Sequence, residues 1–125
     1  NLTHQIVQQA SDKLSGLQNC TSKAQQELSQ IEEACVHLQQ RISDTTLIHG
    51  DYCLPNIIIN KWKFNAIIDV GDAGVGDRHY DLYWGLWSLH YNLHTDKYDR
   101  CFIDAYGCEL VDVDTITYIS VIEAS

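Results

Sequence analysis

Three oxygen-bearing side chains are spaced so that folding could bring them to one site. Asp51 follows a short apolar run, Asn56 comes five residues later, and Asp69 ends another apolar run thirteen residues further on. An aspartate within reach of a hydroxyl can orient it and take its proton, as the acceptor in phosphoryl transfer requires. An amide oxygen and a carboxylate are hard ligands that suit Mg²⁺ on substrate phosphates. The order predicts a phosphoryl-transfer site, with Asp51 catalytic and Asn56 and Asp69 as metal ligands.

The pattern around these residues indicates how they could meet. Apolar runs at 46–48, 56–59 and 64–69 predict three short strands, and four residues lie between the last two, the right length for a hairpin loop. In a hairpin the start of one strand lies beside the end of its antiparallel neighbour. Asn56 and Asp69 are therefore expected at the same end, with Asp72 just beyond. The glycines that follow at positions 71, 74 and 76 predict a loop.

Helical patterns flank this β unit on both sides. Residues 4–18 are compatible with a helix, and apolar residues at steps of three and four between positions 24 and 42 predict a longer one. Three more helices are predicted downstream, at 78–92, 97–106 and 112–124. We therefore predict an α+β fold, mainly helical, with a small β-hairpin that carries the catalytic site. Its predicted parts are a helical segment, 1–45, and a catalytic segment, 46–125.

Composition excludes several classes of function. The formal charge of −9 at pH 7 disfavours a nucleic-acid partner, because phosphates attract Lys and Arg, and is compatible with a cationic small-molecule substrate. No apolar run approaches the ~20 residues of a membrane-spanning helix, so no membrane partner is expected. Five cysteines lack a repeated CxxC spacing. We interpret them as reduced thiols, which predicts a cytoplasmic protein.

The sequence also allows plainer interpretations of the same residues. An Asp before a strand, an Asn at a strand start and an Asp before Gly are common turn residues, and each taken singly would be structural. The glycines after Asp69 have the reverse of the dinucleotide-binding spacing, which argues against a Rossmann loop. A metal-dependent hydrolase could use the same carboxylates. The combined spacing favours the phosphoryl-transfer hypothesis.

Two segments resemble a known family. HGDYCLPNIII at 49–59 and IIDVGDAGVGDRHYDL at 67–82 resemble the catalytic core of the aminoglycoside phosphotransferases, whose hallmark is HGD-x4-N followed by an apolar-apolar-Asp strand end. The resemblance covers about residues 46–123 and implies a protein-kinase-like fold. It also implies an antibiotic-resistance enzyme that moves the γ-phosphoryl group of ATP or GTP to a hydroxyl of an aminoglycoside, with Mg²⁺ as cofactor. By this resemblance Asp51 is the catalytic aspartate, and Asn56 and Asp69 bind Mg²⁺.

The same resemblance implies supporting roles for four further residues. His49 is similar to the histidine that precedes the catalytic aspartate and supports its loop. Asp81 is similar to the buried acid that ties the loop down. Asp72 stands where kanamycin 3′-kinases often carry Arg, which leaves the phosphorylated hydroxyl open. Glu123 matches one acid of the tail with which the 3′ group holds its cationic drug, so it is a candidate substrate-binding residue.

The family's N-terminal nucleotide-binding lobe has no evident counterpart in this sequence. Residues 1–45 are helical in pattern and resemble helices of the C-terminal lobe. We therefore interpret the chain as a C-terminal lobe whose partner is the missing N-terminal lobe of the same enzyme, and we expect it to be inactive alone. Two alternatives stay open. One is a phosphotransferase for another small alcohol, such as choline, homoserine, a macrolide or a sugar, and the other is a catalytically silent binding or structural fragment.

Overall fold

The computed structural model describes residues 2–17, 22–43 and 45–124. Within these ranges, five α-helices and four strands follow one another in the order helix, helix, four strands, then three helices. They are α1 (Leu2–Leu17), α2 (Ser22–Arg41), β1 (Thr46–Ile48), β2 (Ile57–Asn60), β3 (Lys63–Ile67), β4 (Gly74–Gly76), α3 (Arg78–Leu93), α4 (Asp99–Tyr106) and α5 (Val113–Glu123).

The main hydrophobic core lies between α1, α2 and α5. Along α2, Ile31, Cys35 and Leu38 recur at steps of four and three, so all three side chains face the same way and are buried. They pack with apolar residues of α1 and of α5, and the full cluster is Ile6, Ala10, Ile31, Ala34, Cys35, Leu38, Ile119 and Ile122. Burying a side chain the size of Leu or Ile stabilises a fold by about 1.5–3 kcal/mol. These helices therefore form the platform on which the rest of the chain is built.

A buried polar network joins α3 to this platform. Asp77 caps α3 by accepting the backbone N–H of His79 at 2.8 Å, and its other oxygen accepts the N–H of Ser43 at 2.7 Å. The His79 ring accepts the N–H of Asp112 through Nε2 at 2.9 Å, so its proton lies on Nδ1 and is donated to Asp77 at 2.6 Å. Asp112 in turn caps α5 and pairs with Arg41 at 2.8 Å. The network fixes where α3 starts relative to α2 and α5.

The strands form two small antiparallel sheets. In the hairpin, β2 pairs with β3 from Ile57↔Ile67 to Asn60↔Lys63. The two turn residues, Lys61 and Trp62, both have positive φ, 53° and 65°. That is the conformation of a tight type I′ turn, whose twist matches that of the strands.

The other sheet differs from the sequence-based expectation. Residues Gly74–Gly76, predicted as part of a loop, form β4 and pair with β1, with Ile48 opposite Gly74. Glycine has low β propensity, so this strand has no local sequence signal and depends on its partner. The pairing returns the chain from the hairpin to the start of α3. No helix in the described ranges is both long and apolar enough to cross a bilayer.

Candidate active site

The loop that follows β1 is held by the first turn of α3. Both carboxylate oxygens of Asp81 accept backbone N–H groups of this loop, from His49 at 2.7 Å and from Gly50 at 3.0 Å. Hydrogen bonds to an ionised carboxylate are shorter and stronger than neutral ones. The loop backbone is therefore fixed immediately before Asp51.

The buried ring of His49 connects the loop to the end of the hairpin. Its Nδ1 accepts the backbone N–H of Asp51 at 3.1 Å, so the ring proton lies on Nε2, which donates to the carbonyl of Ile68 at 2.8 Å. Ile68 directly precedes Asp69. One imidazole therefore spans the backbone segments that carry two of the predicted site residues.

Gly50 allows these two segments to lie in direct contact. Its φ is +89°, and a Cβ atom at this position would lie 2.3 Å from the carbonyl oxygen of Asp72 and 2.9 Å from the Asp72 Cβ. Glycine tolerates both the positive φ and the close approach because it has no side chain. The turn that contains Asp72 therefore packs on the backbone beside Asp51.

Asp51 and Asn56 form a hydrogen-bonded pair. The Asn56 Nδ2 donates to the backbone oxygen of Asp51 at 2.9 Å and to its carboxylate Oδ2 at 3.2 Å. Two acceptors at the same atom identify it as the NH₂ group, so the remaining atom, Oδ1, is the oxygen that a cation would use. The other carboxylate oxygen, Oδ1 of Asp51, lies 3.7 Å from the sulfur of Cys53.

Asp69 lies just beyond the paired strands. The backbone N–H of Ile68 donates to the carbonyl of Asn56 at 2.8 Å, which extends the hairpin by one step and puts Asp69 next to Asn56 along the backbone. Asp69 has a φ of +57°, a conformation that Asp tolerates better than most residues. Its side chain is exposed, as is that of Asp72.

The oxygens of Asn56 and Asp69 suit Mg²⁺ in their chemistry. Within the ranges that the structure describes, no group of three or more His, Cys, Asp and Glu side chains could hold a metal. An all-protein cage is therefore not formed by these residues. Mg²⁺ commonly takes only one or two carboxylates and completes its shell with water and substrate phosphates. The amide oxygen of Asn56 and the exposed carboxylate of Asp69, carried on neighbouring backbone segments, are ligands of the kind that this ion takes.

Glu123 is linked to the same region through an aromatic side chain. Burial raises the pKa of Tyr80, the neighbouring Trp84 side chain lowers it, and the negative charges of Glu123, Asp72 and Asp51 raise it further. Tyr80 is thus within electrostatic reach of all three acids. Burial and the charge of Glu123 also raise the pKa of Tyr83. Glu123, at the end of α5, is thus near enough to both tyrosines for its charge to affect their pKa values.

Two residues for which the sequence predicted no role also contact the loop that carries Asp51. The hydroxyl of Ser88, fully buried on α3, accepts the backbone N–H of Leu54 at 2.7 Å and the side-chain amide of Asn92 at 3.1 Å. Cys53 contacts the Asp51 carboxylate. The one sequence signal for a role of Ser88 was the presence of a serine among the apolar residues of a helix. No sequence signal indicated a role for Cys53.

The seven predicted site residues thus fall into three groups. His49, Asp51, Asn56 and Asp81 are joined by direct hydrogen bonds. Asp69 and Asp72 are brought beside them through the backbone, and Glu123 is reached through Tyr80. The roles of these residues remain predictions.

Comparisons with known proteins point to one family. The model of the Phosphotransferase enzyme family matches residues 5–116. A probable aminoglycoside 3′-phosphotransferase of Lactococcus lactis subsp. lactis (strain IL1403) is 49% identical over 96 residues, which are 74% of this chain and 37% of that protein. An aminoglycoside 3′-phosphotransferase of Niallia circulans is 40% identical over 75 residues, 60% of this chain and 29% of that protein. The chain thus spans well under two thirds of these relatives.

A solved structure shares the fold. The crystal structure of an aminoglycoside-3′-phosphotransferase of type VIII matches with a TM-score of 0.65 and 21% identity, over 94% of this chain and 48% of that one. The likeness confirms the predicted fold class, an α+β, kinase-like arrangement that is mainly helical with a small hairpin.

Proposed function

Because the chain belongs to the Phosphotransferase enzyme family, as its sequence predicted, we propose that it carries the catalytic residues of an aminoglycoside phosphotransferase. The reaction moves the γ-phosphoryl group of ATP or GTP to a hydroxyl of the antibiotic and so confers resistance. The observation that carries this proposal is the Asp51 carboxylate, which is hydrogen-bonded to Asn56 in a loop that Asp81 fixes beside the end of the hairpin.

Asp51 is the group that acts on the acceptor hydroxyl. An ionised carboxylate has about four lone-pair sites, of which Asn56 takes one on Oδ2 and Cys53 one on Oδ1. The remaining sites accept a hydrogen bond from the substrate hydroxyl and align its oxygen with the γ-phosphorus. As the new P–O bond forms and the bond to the nucleoside diphosphate breaks, Asp51 takes the hydroxyl proton.

Asn56 and Asp69 would hold Mg²⁺ on the nucleotide phosphates, with Asp72 as a further ligand or a supporting group. When bound, the ion neutralises negative charge on the phosphates as the phosphoryl group leaves. The contribution of this chain is to bring the backbones of Asn56 and Asp69 together at the end of the hairpin, with the Asn56 amide hydrogen-bonded to Asp51.

The acceptor is a cationic antibiotic. Aminoglycosides carry several ammonium groups, which the net charge of −9 attracts. Glu123 would bind one of these groups on the Tyr80 side of the site. The names of the relatives favour phosphorylation of the 3′-hydroxyl. The sequence had left the phosphorylated hydroxyl open, because Asp72 stands where kanamycin 3′-kinases often carry Arg.

The N-terminal lobe of the same enzyme is the proposed partner. The hairpin exposes a set of large apolar side chains, including Ile59, Trp62 and Phe64, with Trp62 98% exposed. Contiguous exposed apolar surface marks interaction sites. We propose that the nucleotide-binding lobe packs there, since the chain spans 37% of its Lactococcus relative. The isolated chain is then inactive.

A cytoplasmic location is part of the same proposal. Free thiols are typical of the reducing cytoplasm. The structure shows free thiols at Cys35, Cys53, Cys101 and Cys108.

The test is a product analysis with the protein encoded by the complete reading frame. It is incubated with ATP, Mg²⁺ and kanamycin, and mass spectrometry and phosphate release are followed together. Phosphorylated kanamycin is expected, and Asp51→Ala should lower turnover by about 10²–10⁴-fold, the range for loss of a general base. Nucleotide binding should be largely retained. Asp96→Ala, at an exposed aspartate between α3 and α4, is the matched control.

Other outcomes would identify the alternatives. Release of free phosphate without transfer would indicate a hydrolase. Transfer to choline, homoserine, a macrolide or a sugar, with kanamycin unchanged, would indicate another small-molecule kinase. A complete protein with no turnover on any acceptor would indicate a silent binding or structural role.

A further inference from the structure

We propose that Cys53 is a positioning residue, whose thiol holds the Asp51 carboxylate in the orientation that the acceptor hydroxyl requires. The proposal rests on the catalytic role proposed for Asp51. It differs from the simplest interpretation of a cysteine in this loop, which is that the side chain only fills space.

Asp51 needs more than one donor to be held in place. The last torsion of an Asp side chain has a broad, nearly two-fold profile, so its own rotamer preference does not fix the carboxylate plane. Asn56 holds one oxygen, Oδ2, at 3.2 Å. Cys53 contacts the other oxygen, Oδ1, at 3.7 Å, a usual length for the large sulfur atom. With a donor on each oxygen, rotation of the carboxylate breaks both hydrogen bonds.

The thiol has two acceptors in reach and one hydrogen to donate. The second acceptor is the carbonyl of Trp84, 4.0 Å from the sulfur. The Asp51 oxygen is closer and carries charge, and charged acceptors form the stronger hydrogen bonds. An ordinary cysteine has a pKa of about 8.5, so the S–H group is present at neutral pH. The thiol is therefore a donor and not a nucleophile.

The position of Cys53 is itself fixed from two sides. Its backbone N–H donates to the carbonyl of Asp51 at 2.9 Å, and its carbonyl accepts the N–H of Asn56 at 2.9 Å. On the other side is α3, where the carbonyl of Trp84 lies 4.0 Å from the sulfur and the hydroxyl of Ser88 accepts the N–H of the next residue, Leu54. Ser88 is fully buried on α3. The sulfur is thus held between the rigid helix and the carboxylate.

Three substitutions of Cys53 in the complete enzyme show whether its side chain positions the Asp51 carboxylate or only fills space. Cys53→Ala removes the donor and some volume, Cys53→Val removes the donor and fills the space with a slightly larger apolar side chain, and Cys53→Ser keeps a donor. Misplacing a reacting group by about 1 Å can cost about 10²-fold in rate, and a thiol is a weak donor. We therefore expect the Ala and Val variants to lose about ten-fold in kcat. KM for kanamycin and for ATP should stay within about two-fold, and Cys53→Ser should restore kcat to within about three-fold.

Cys101→Ala is the matched control, since this thiol is exposed on α4 and its removal should leave kcat unchanged. Melting temperatures are recorded for every variant, and kinetics are measured well below them. Wild-type kcat in either Cys53→Ala or Cys53→Val would overturn the proposal, as would a Cys53→Ser enzyme as slow as Cys53→Ala. Asp51→Asn distinguishes a failure of the proposed function from a failure of the role proposed for Cys53. If it keeps turnover, the proposed function itself fails, whereas if it is inactive and Cys53→Ala has wild-type kcat, only the role of Cys53 fails.

Discussion

Replacing Gly50 by alanine is expected to push the loop that carries Asp51 away from the turn that contains Asp72. The alanine Cβ would lie 2.3 Å from the carbonyl oxygen of Asp72, about 1 Å short of ordinary van der Waals contact. Backbone must therefore shift, because the clashing atom is not the end of a flexible side chain. The φ of +89° adds strain of order 1–3 kcal/mol for a residue with a side chain. Both effects act between Asp51 and the turn that contains Asp72.

The expected consequence is large for turnover. A displacement of about 1 Å at the reacting groups corresponds to about 10²-fold in kcat, whereas the strain should lower the melting temperature by several degrees. The assay is steady-state kinetics of the complete enzyme beside a thermal melt. Gly71→Ala is the control in the turn that contains Asp72, since a Cβ at Gly71 would meet no atom within 4 Å. A Gly50→Ala enzyme with wild-type kcat would refute the reasoning, as would equal losses in the two variants.

Three further expectations follow from the same contacts. Asp81→Ala removes the charged acceptor of two loop N–H groups, and each of these hydrogen bonds is worth about 1.5–3 kcal/mol. Hydrogen exchange at the amides of His49 and Gly50 should therefore become fast, and kcat should fall. Unchanged protection of these two amides from exchange would contradict the expectation. Burial alone would raise the pKa of Asp77, but hydrogen bonds, first that from the His79 side chain, lower it overall. The unfolded state then binds more protons than the folded state, so the stabilisation by Asp77 is complete above about pH 5 and is lost as the pH falls below about 3.9 towards the lower pKa of the folded state. In urea titrations, the free energy of unfolding of Asp77→Asn should therefore depend less on pH than that of the wild type. Parallel curves for the two proteins would count against this expectation. The isolated 125-residue chain should show no phosphate transfer above background in the kanamycin assay, and measurable turnover would mean that no second lobe is needed.

The sequence predicted those parts of the fold that have local signals. Strand β1 occupies the predicted residues 46–48, and the hairpin has the predicted order with its turn at Lys61 and Trp62. Helix α5 starts after Asp112, because this residue has the side chain that a helix cap needs. Alternation, turn residues and caps act over a few residues, so they can be recognised without the tertiary structure.

The parts that escaped prediction depend on partners distant in the chain. Strand β4 contains two glycines and forms only because β1 pairs with it. The hydroxyl of Ser88 meets the backbone of Leu54, 34 residues away. The contact of Cys53 with Asp51 is local, but the other acceptor near the thiol is the carbonyl of Trp84, which α3 brings to it. Such contacts are set by the packing of α3 on the loop, for which the spacing of residues gives no rule.

The most direct test of the central claim compares Asp51→Ala with Asp69→Ala by calorimetric ATP titration, with Mg²⁺ and with EDTA, beside kcat. If Asp69 holds the metal on the nucleotide, Asp69→Ala should weaken ATP binding at least about ten-fold in Mg²⁺ and leave binding in EDTA unchanged. Asp51→Ala should bind ATP as the wild type does under both conditions and lose its turnover. Wild-type affinity of Asp69→Ala for ATP in Mg²⁺, or substantial kcat in Asp51→Ala, would contradict the assignment of the two acids.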